Sequence, residues 1–264
     1  MSPWELLIIQ PMTNILLFIY DLIGHNFGLA IILFTIFIRA ITWPLNASQM
    51  KGAQAMQAFQ NDKDWQAAQK KYAKDREKLA QEQMRIYKEK GINPFSSCLP
   101  TLIQFPIIIG LYQCINRALA TTPLGLLQLG RSIYPFLNVE NIIPLNSKFL
   151  WMDLGRPEAV ALFGFAVPTL AIIVAITTYM QSKLTMPANP SGNPNDQSAA
   201  MGNMMSIYMP LLLGYFALTF ASGLSIYFIT SNLLGVIQYG VTGKANWRNL
   251  LPGGNRQAEP ARTK

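Results

Sequence analysis

The chain has 264 residues, of which 51% are hydrophobic and only 13% are charged, and its formal net charge is +8. Since soluble domains carry about 25% charged residues, this composition excludes an ordinary soluble domain and predicts an integral membrane protein. Nucleic-acid binding is also disfavoured, because ten of the 21 basic residues lie between Lys51 and Lys90 and five lie from Lys244 onward. That distribution is typical of cytoplasmic loops in a multispan protein.

The first apolar segment, residues 4–23, is about as long as one membrane span, but polar residues and a proline interrupt it. It has no basic region in front and no small-residue cleavage site, so a cleaved signal peptide is not predicted. The segment could cross the membrane or lie as an amphipathic helix in the outer interface. Its only charged residues are Glu5 and Asp21, and the lack of Lys or Arg to hold an N-terminus in the cytoplasm favours the interfacial helix.

The next apolar segment, 26–46, is long enough to cross a hydrocarbon core of about 30 Å, yet it contains Arg39. Thr35, Arg39, Thr42 and Asn46 are spaced by four, three and four residues, which predicts a polar stripe on one helix face. Arg39 could extend its guanidinium to the headgroups, or the stripe could line a hydrated cavity. The residues alone leave both interpretations open, and both place Arg39 nearer the cytoplasmic leaflet.

The polar region 47–93 predicts a cytoplasmic helical hairpin. Asn61 and Asp62 lie between two helical stretches and Gly91 follows the second, and such residues are typical of helix ends. Every seventh residue of the second arm is aromatic or aliphatic: Trp65, Tyr72, Leu79 and Ile86. This narrow seam could pack against the first arm.

The rest of the chain contains four more apolar segments, which predicts an all-α integral membrane protein with five transmembrane helices. The predicted boundaries are 1–25 for the outer-interface amphipathic helix, 26–46 for the first span, 47–93 for the hairpin, 94–117 for the second span, 118–156 for an external connector, 157–183 for the third span, 184–202 for a cytoplasmic loop, 203–220 for the fourth span, 222–242 for the fifth span and 243–264 for a basic cytoplasmic tail. With the N-terminus outside and the C-terminus inside, this arrangement places the basic segments in the cytoplasm.

Several polar residues lie within the spans without forming a recognisable catalytic motif. Tyr227, Ser231 and Gln238 share one face of the fifth span, and the third span carries several threonines; each residue alone is explained by helix packing. No Asp or Glu lies well inside any span, which argues against a carboxylate-based proton pump. Nucleotide-binding, metalloprotease and hydrolase motifs are absent from the sequence, and one histidine with two cysteines is too few for a metal site. The sequence therefore predicts neither an enzyme nor a cofactor nor a metal.

Four sequence blocks, in this order, resemble the YidC/Oxa/Alb family of membrane protein insertases. They are residues 26–32 followed by Ile38-Arg39 and Pro44-Leu45, then residues 86–94, residues 98–107 and residues 222–238. The match spans nearly the whole chain. The resemblance implies five spans that enclose a hydrophilic groove, closed on the outside and open to the cytoplasm and to lipid.

The resemblance also implies which residues line the groove. It places Arg39 there, with Thr35 one turn away, and it places Tyr227 and Phe228 on the substrate path, where some relatives have tyrosine instead of Phe228. The complete predicted groove comprises Arg39, Thr35, Thr42, Gln104, Tyr227, Phe228 and Ser231. The hairpin residues predicted to receive substrate or partners are Trp65, Tyr72, Arg76 and Arg85.

The function implied by the resemblance is that of an insertase and chaperone in a prokaryotic plasma membrane, acting independently of the Sec translocon or beside it. The expected partners are nascent membrane proteins and the lipid bilayer, with the ribosome, the signal recognition pathway and the Sec translocon as further candidates, and no specific nucleic acid. Two alternatives stay open at this point: an assembly factor for one membrane complex, and a small-anion transporter with Arg39 as its binding charge.

Overall fold

The computed structural model describes residues 2–60, 62–72, 75–93, 99–120, 122–137, 142–162, 165–185 and 197–242, and within them the protein is mostly helical. The helices are a π-helical turn Glu5–Ile9 leading into α1 (Gln10–Leu22), then α2 (Phe27–Ile41), α3 (Trp43–Gln60), α4 (Lys63–Lys71), α5 (Arg76–Glu89), α6 (Leu99–Ala118), α7 (Pro123–Ser132), α8 (Thr169–Thr185), α9 (Gln197–Thr219) and α10 (Ser222–Val241). Two short antiparallel hairpins pair β1 (Lys148–Phe149) with β2 (Met152–Asp153) and β3 (Val160–Leu162) with β4 (Phe165–Val167).

These elements form two compact units. The first comprises Met1–Ile41, Gln104–Gln181 and Ile207–Ile237, and the second comprises Thr42–Ile103, Ser182–Ser206 and Gln238–Lys264.

The first unit is built around an apolar core to which α1, α2, α6, α8 and α10 contribute. On α2, Phe27, Ile31 and Phe34 recur at helical spacing and are fully buried. The opposite face of α2 exposes Leu29, Leu33 and other large aliphatic or aromatic side chains. A helix with one apolar face buried in protein and another apolar face exposed suits a lipid bilayer. Lipid tails can cover the exposed apolar face, whereas its contact with water would be unfavourable.

The N-terminal helix α1 is attached to the connector by polar side chains inside its apolar stretch. Asn14 is 1% exposed; its Nδ2 donates to the Ser132 carbonyl at 2.9 Å, and its Oδ1 accepts from the Tyr134 N–H at 2.7 Å. The Tyr20 hydroxyl accepts from the Asn146 N–H at 2.9 Å. The polar side chains of Asn14 and Tyr20 therefore bind this otherwise apolar helix to the connector.

The region between α6 and α8 differs from the all-α prediction: α7 and the β1–β2 hairpin lie in the predicted connector, and the β3–β4 hairpin lies in the predicted third span. The predicted third span begins at residue 157, whereas helix α8 begins at Thr169, after the β3–β4 hairpin. Two features fix the start of α8. Pro168 lies directly before the helix, where its missing N–H costs no helical hydrogen bond. The Glu158 carboxylate accepts hydrogen bonds from the Leu170 N–H at 3.0 Å and the Thr169 hydroxyl at 2.6 Å.

Among the described residues, fewer helices reach full membrane-spanning length than the five predicted spans. In the part of the chain that the structure describes, Glu5–Leu22 and Ser222–Val241 are both long and apolar enough to cross a membrane, whereas Phe27–Ile41, Thr169–Leu184 and Ile207–Thr219 are apolar but shorter. Helix α2 ends at Ile41, before the predicted end of the first span at residue 46, and a turn at Thr42 separates it from α3. The predicted second span begins at residue 94, and residues 94–98 lie outside the described residues.

The second unit contains α4 and α5, which pack against each other around an aromatic cluster. The cluster comprises Phe59, Trp65, Ala68, Ile86 and Tyr87, with Tyr72, Leu79 and Ile92 partly buried against it. The Phe59 ring lies 4.9 Å from the Trp65 ring and 4.4 Å from the Tyr87 ring, measured between centroids. Aromatic pairs at these distances contribute stability beyond the area they bury.

The second arm of the predicted hairpin is interrupted between α4 and α5. Asp75 is the N-cap of α5, and its carboxylate accepts from the Lys78 N–H at 3.1 Å. Asp62 caps α4 in the same way and also binds the Lys90 ammonium, and this hydrogen bond lowers the pKa of the Asp62 carboxyl. The seven-residue repeat predicts one continuous arm, but an acidic N-cap in its middle starts a new helix instead.

Candidate functional site around Arg39

Helices α2 and α10 bring Arg39 and Ser231 together. The Arg39 Nε donates to the Ser231 hydroxyl at 3.1 Å, and Arg39 Nη2 donates to the same hydroxyl at 2.6 Å and to the Ser231 carbonyl at 2.8 Å. Arg39 is half-buried, whereas Ser231 is 5% exposed. The planar guanidinium suits this arrangement, because its N–H groups point in fixed directions that a hydroxyl and a carbonyl can meet together.

Tyr227 lies one turn before Ser231 on α10 and extends the same polar face. It is 2% exposed, and its hydroxyl accepts a hydrogen bond from the Gln104 amide of α6. Arg39 binds Ser231 one turn further along this face. We call these four residues, Arg39, Gln104, Tyr227 and Ser231, the Arg39 site.

Two other predicted groove residues lie beside this site. Thr35 is one turn before Arg39 and fully buried, but its hydroxyl donates to the Ile31 carbonyl of its own helix at 2.6 Å. Phe228 is 6% exposed, and its ring centroid lies 5.6 Å from that of Tyr227. Both side chains therefore pack within the first unit and shape the surroundings of the Arg39 site.

Thr42 is not part of the helix that carries Arg39. It forms the turn after α2, belongs to the second unit, and its carbonyl accepts from the Asn46 N–H at 2.9 Å. The predicted stripe assumes a continuous helix through Asn46, and that assumption is wrong because α2 ends at Ile41.

The predicted hairpin residues have different surroundings. Trp65 is 3% exposed and Tyr72 is partly buried, so both stabilise the aromatic cluster of the second unit. Arg85 is exposed and binds Glu82 at 2.7 Å and Glu89 at 2.8 Å, and its hydrogen bond lowers the pKa of the Glu82 carboxyl. Arg76 begins α5, and its side chain lies outside the described part of the structure.

Chemically, the Arg39 site places a positive charge against the hydroxyl and the carbonyl of Ser231 in the first unit. The sequences of α2, α6, α8, α9 and α10 contain no Asp or Glu. Among the described residues, no group of three or more His, Cys, Asp or Glu side chains lies close enough to bind a metal. The site is therefore suited to bind an acidic or polar group by hydrogen bonding and charge attraction.

A second polar contact on α10 is not predicted from the sequence: Asn232 binds Thr177 and Thr178 of α8. An asparagine inside an apolar helix next to Ser231 was the available signal, because buried amides in membrane helices usually bind a neighbouring helix.

Comparison with known proteins identifies relatives over most of the chain. The family model described as 60Kd inner membrane protein matches residues 18–248. The membrane protein insertase YidC of Oceanobacillus iheyensis is 31% identical over 239 residues, which cover 89% of this chain and 81% of that protein. The membrane protein insertase MisCA of Bacillus subtilis is 33% identical over 239 residues, which cover 89% of this chain and 77% of that protein.

A solved structure shares the fold. It is described as an active YidC insertase crystal structure with the first transmembrane domain resolved, and it matches with a TM-score of 0.54 and 25% sequence identity. The match covers 92% of this chain and 47% of that chain. This chain thus spans about half of the solved protein.

Proposed function

Because the chain belongs to the 60Kd inner membrane protein family, whose relatives here are membrane protein insertases, we propose that it inserts nascent membrane proteins by receiving their polar segments at the Arg39 site. Insertion into the lipid bilayer is the function of these bacterial cell-membrane proteins, and it is not an enzymatic reaction. The proposal concerns the residues that perform it in this chain.

The observation that carries the proposal is the attachment of Arg39 to Ser231. An arginine inside an apolar helix costs several kcal/mol unless it faces protein, water or headgroups. Ser231 supplies a hydroxyl and a carbonyl to the guanidinium, so the charge is kept beside α10. A polar or acidic segment of a nascent chain that reaches this position meets a preoriented donor.

The energy for insertion comes from the substrate. A polar segment must lose water to cross a bilayer, and a polar groove shortens and hydrates that path. The apolar segment that follows gains about 25 cal/mol for each Å² of apolar surface removed from water. This partitioning draws the chain forward without nucleotide hydrolysis, while the Arg39 site lowers the cost for the polar part.

We place α2, α6, α8, α9 and α10 across the membrane, around the proposed groove, with the N-terminus outside and the C-terminus inside. The positive charges of residues 51–90 and of the tail support this orientation. Helix α1 then lies in the outer interface, and two contacts support that position. Glu5 binds Arg117, near the outer end of α6, with 2.5 Å between Oε1 and Nη2, and Tyr20 binds the connector at Asn146.

The predicted hairpin, residues 47–93, is the proposed first receiver of substrate or of a targeting partner. Its exposed lysines, including Lys70, Lys71 and Lys88, give it a basic surface, and the aromatic cluster joins Phe59 of α3 to α4 and α5. The ribosome, the signal recognition pathway and the Sec translocon are candidate partners for this surface. Photocrosslinkers at Lys70 and Lys88 on stalled translation intermediates would identify the partner that binds there.

Substitution of Arg39 tests the proposal. Purified protein in vesicles would insert a single-span substrate with an acidic external segment and a matched substrate whose segment is neutral. Arg39→Lys should retain preference for the acidic substrate, whereas Arg39→Glu should abolish or reverse it, because attraction becomes repulsion. Arg131→Gln, which removes an exposed positive charge from α7, is the control. If Arg39→Glu inserts the acidic substrate as fast as Arg39→Lys does, charge recognition at Arg39 is wrong.

A further inference from the structure

Asn232 connects α10 to α8 through a buried amide. Its Nδ2 donates to the Thr178 hydroxyl at 2.9 Å and to the Thr177 hydroxyl at 3.1 Å. Asn232 and Thr178 are each 7% exposed. An amide nitrogen carries two hydrogens, so these two bonds use its full donor capacity.

The bonds of Thr177 fix the direction of this contact. Its own hydroxyl hydrogen is directed to carbonyls of α8, those of Ile173 at 2.8 Å and Val174 at 3.1 Å. The Thr177 oxygen therefore meets Asn232 as an acceptor, and the amide must present its nitrogen rather than its oxygen. An aspartate or leucine at residue 232 could not make this contact.

One turn further along both helices, Gly235 of α10 lies close to Gln181 of α8. A Cβ atom added to Gly235 would lie 2.8 Å from Nε2 and 3.0 Å from Cδ of Gln181. Glycine leaves the room that the Gln181 amide occupies, as small residues do at close contacts between membrane helices. We call the contacts of Asn232 and Gly235 with α8 the α8–α10 clasp.

The clasp and the Arg39 site act on neighbouring residues of one helix. Ser231 and Asn232 point about 100° apart around α10. Ser231 is bound by Arg39 of α2, and Asn232 binds α8. A rotation of α10 that breaks one contact therefore displaces the other.

We propose that Asn232 is a positioning residue for the Arg39 site: the clasp holds α10 in the rotation at which Ser231 and Tyr227 face Arg39. Its effect on insertion rests on the proposed function, whereas its effect on the orientation of α10 does not. The two effects are therefore measured separately.

The first measurement is the distance between spin labels at Ile36 of α2 and Ile237 of α10, two exposed positions, after both native cysteines are replaced by alanine. Asn232→Leu, which keeps the side-chain size but removes both bonds, should shift or broaden the distance distribution. Combined Thr177→Val and Thr178→Val should reproduce that change from the α8 side. Thr230→Val, which removes a hydroxyl from α10 outside the clasp, is the control and should leave the distance unchanged. An unchanged distance in Asn232→Leu would overturn the proposal.

The second measurement is the ratio of insertion rates for the acidic and neutral substrates. Asn232→Leu should lower this ratio, by up to about eightfold if both interhelical bonds count fully. Its combination with Ser231→Ala should lower the ratio no further than Ser231→Ala alone, since both act through one contact. Additive losses would show that Asn232 acts only through general stability and would overturn the positioning role. If Asn232→Leu shifts the label distance but the unmodified protein inserts the acidic and the neutral substrate at equal rates, the proposed function of Arg39 is refuted instead.

Discussion

The buried carboxylate of Glu158 is predicted to hold the start of α8 in a pH-dependent manner. Glu158 is 9% exposed. One oxygen accepts from the Thr169 hydroxyl at 2.6 Å and the Trp151 indole at 3.1 Å, and the other accepts from the Leu170 N–H at 3.0 Å. Burial by itself raises the pKa of this carboxyl, but the hydrogen bonds from Leu170, Thr169 and Trp151 outweigh burial and lower it.

Glu158→Gln tests this contact, because an amide presents one oxygen and one nitrogen where the carboxylate presents two acceptors. Whichever way the amide is turned, its NH₂ group faces a donor. In one orientation this donor is the Leu170 N–H, and in the other the donors are the Thr169 hydroxyl and the Trp151 indole. Loss of the charge at a helix N-terminus and of charge-assisted hydrogen bonds should cost about 1–2 kcal/mol of unfolding free energy. For a chain of this size, that corresponds to a fall of about 2–8 °C in melting temperature. Asp153→Asn, an exposed carboxylate in β2, is the control and should change stability by less than about 0.5 kcal/mol.

The pH dependence follows from the direction of the shift. A carboxyl whose pKa is lower in the folded state stabilises the fold above its unfolded pKa of about 4.3, and this stabilisation is lost as pH falls through the folded pKa. The melting-temperature difference between the unmodified protein and Glu158→Gln should therefore be constant above about pH 5.5 and should shrink in more acidic buffers. A difference that stays constant throughout the acidic range, or no difference at neutral pH, would refute the assignment of the charged carboxylate to this contact.

Three further predictions concern other contacts. Ser231→Ala removes the hydroxyl that accepts from Arg39 and should lower the preference for the acidic substrate by about 1–2 kcal/mol of activation free energy, whereas Ser231→Thr keeps the hydroxyl and should retain it; the ratio of insertion rates measures both. Asn14→Leu removes the acceptor of the Tyr134 N–H and one of the two side-chain amides that donate to the Ser132 carbonyl, and should speed cleavage of the connector by an externally added protease in intact vesicles. Trp65→Ala opens the aromatic cluster, should cost about 3–5 kcal/mol within the second unit, and should accelerate hydrogen exchange in α4 and α5 but not in α10.

The sequence predicts the helical elements better than their ends. Hydrophobic periodicity identifies α2 and α10, and cap residues correctly indicate Asp62 at the start of a helix. The same patterns miss the turn at Thr42 and the new helix that Asp75 starts, because each depends on local backbone hydrogen bonds that compete with a continuous helix. Strands β3 and β4 are not predicted, since their apolar residues continue the hydrophobic run of the third span without a change in periodicity.

For the site, the sequence predicts which face of α10 is polar but not what that face binds. The spacing of Tyr227 and Ser231 places them one turn apart, and the structure adds Arg39 and Gln104 as their partners. The backbone carbonyl of Ser231 also accepts from Arg39. A pattern of side chains in the sequence cannot predict a contact with a backbone carbonyl. Asn232 was missed because its neighbour suggested a single polar face, whereas α10 binds two helices through adjacent residues.

The contact of the guanidinium with Ser231 bears on the two interpretations of Arg39 that the sequence leaves open. An arginine that only anchors a helix extends along it to the headgroups, and its nitrogens end in water or phosphate. Here Nε and Nη2 both bind Ser231, so the charged end is held against another helix. Lysine could keep the charge but not this two-atom contact. Arg39→Lys keeps the charge and should therefore retain a preference for the acidic substrate, but a smaller one, as in Ser231→Ala, and it should lower thermal stability because the two-atom contact is lost. An anchoring role alone predicts neither a preference nor its loss in Arg39→Glu.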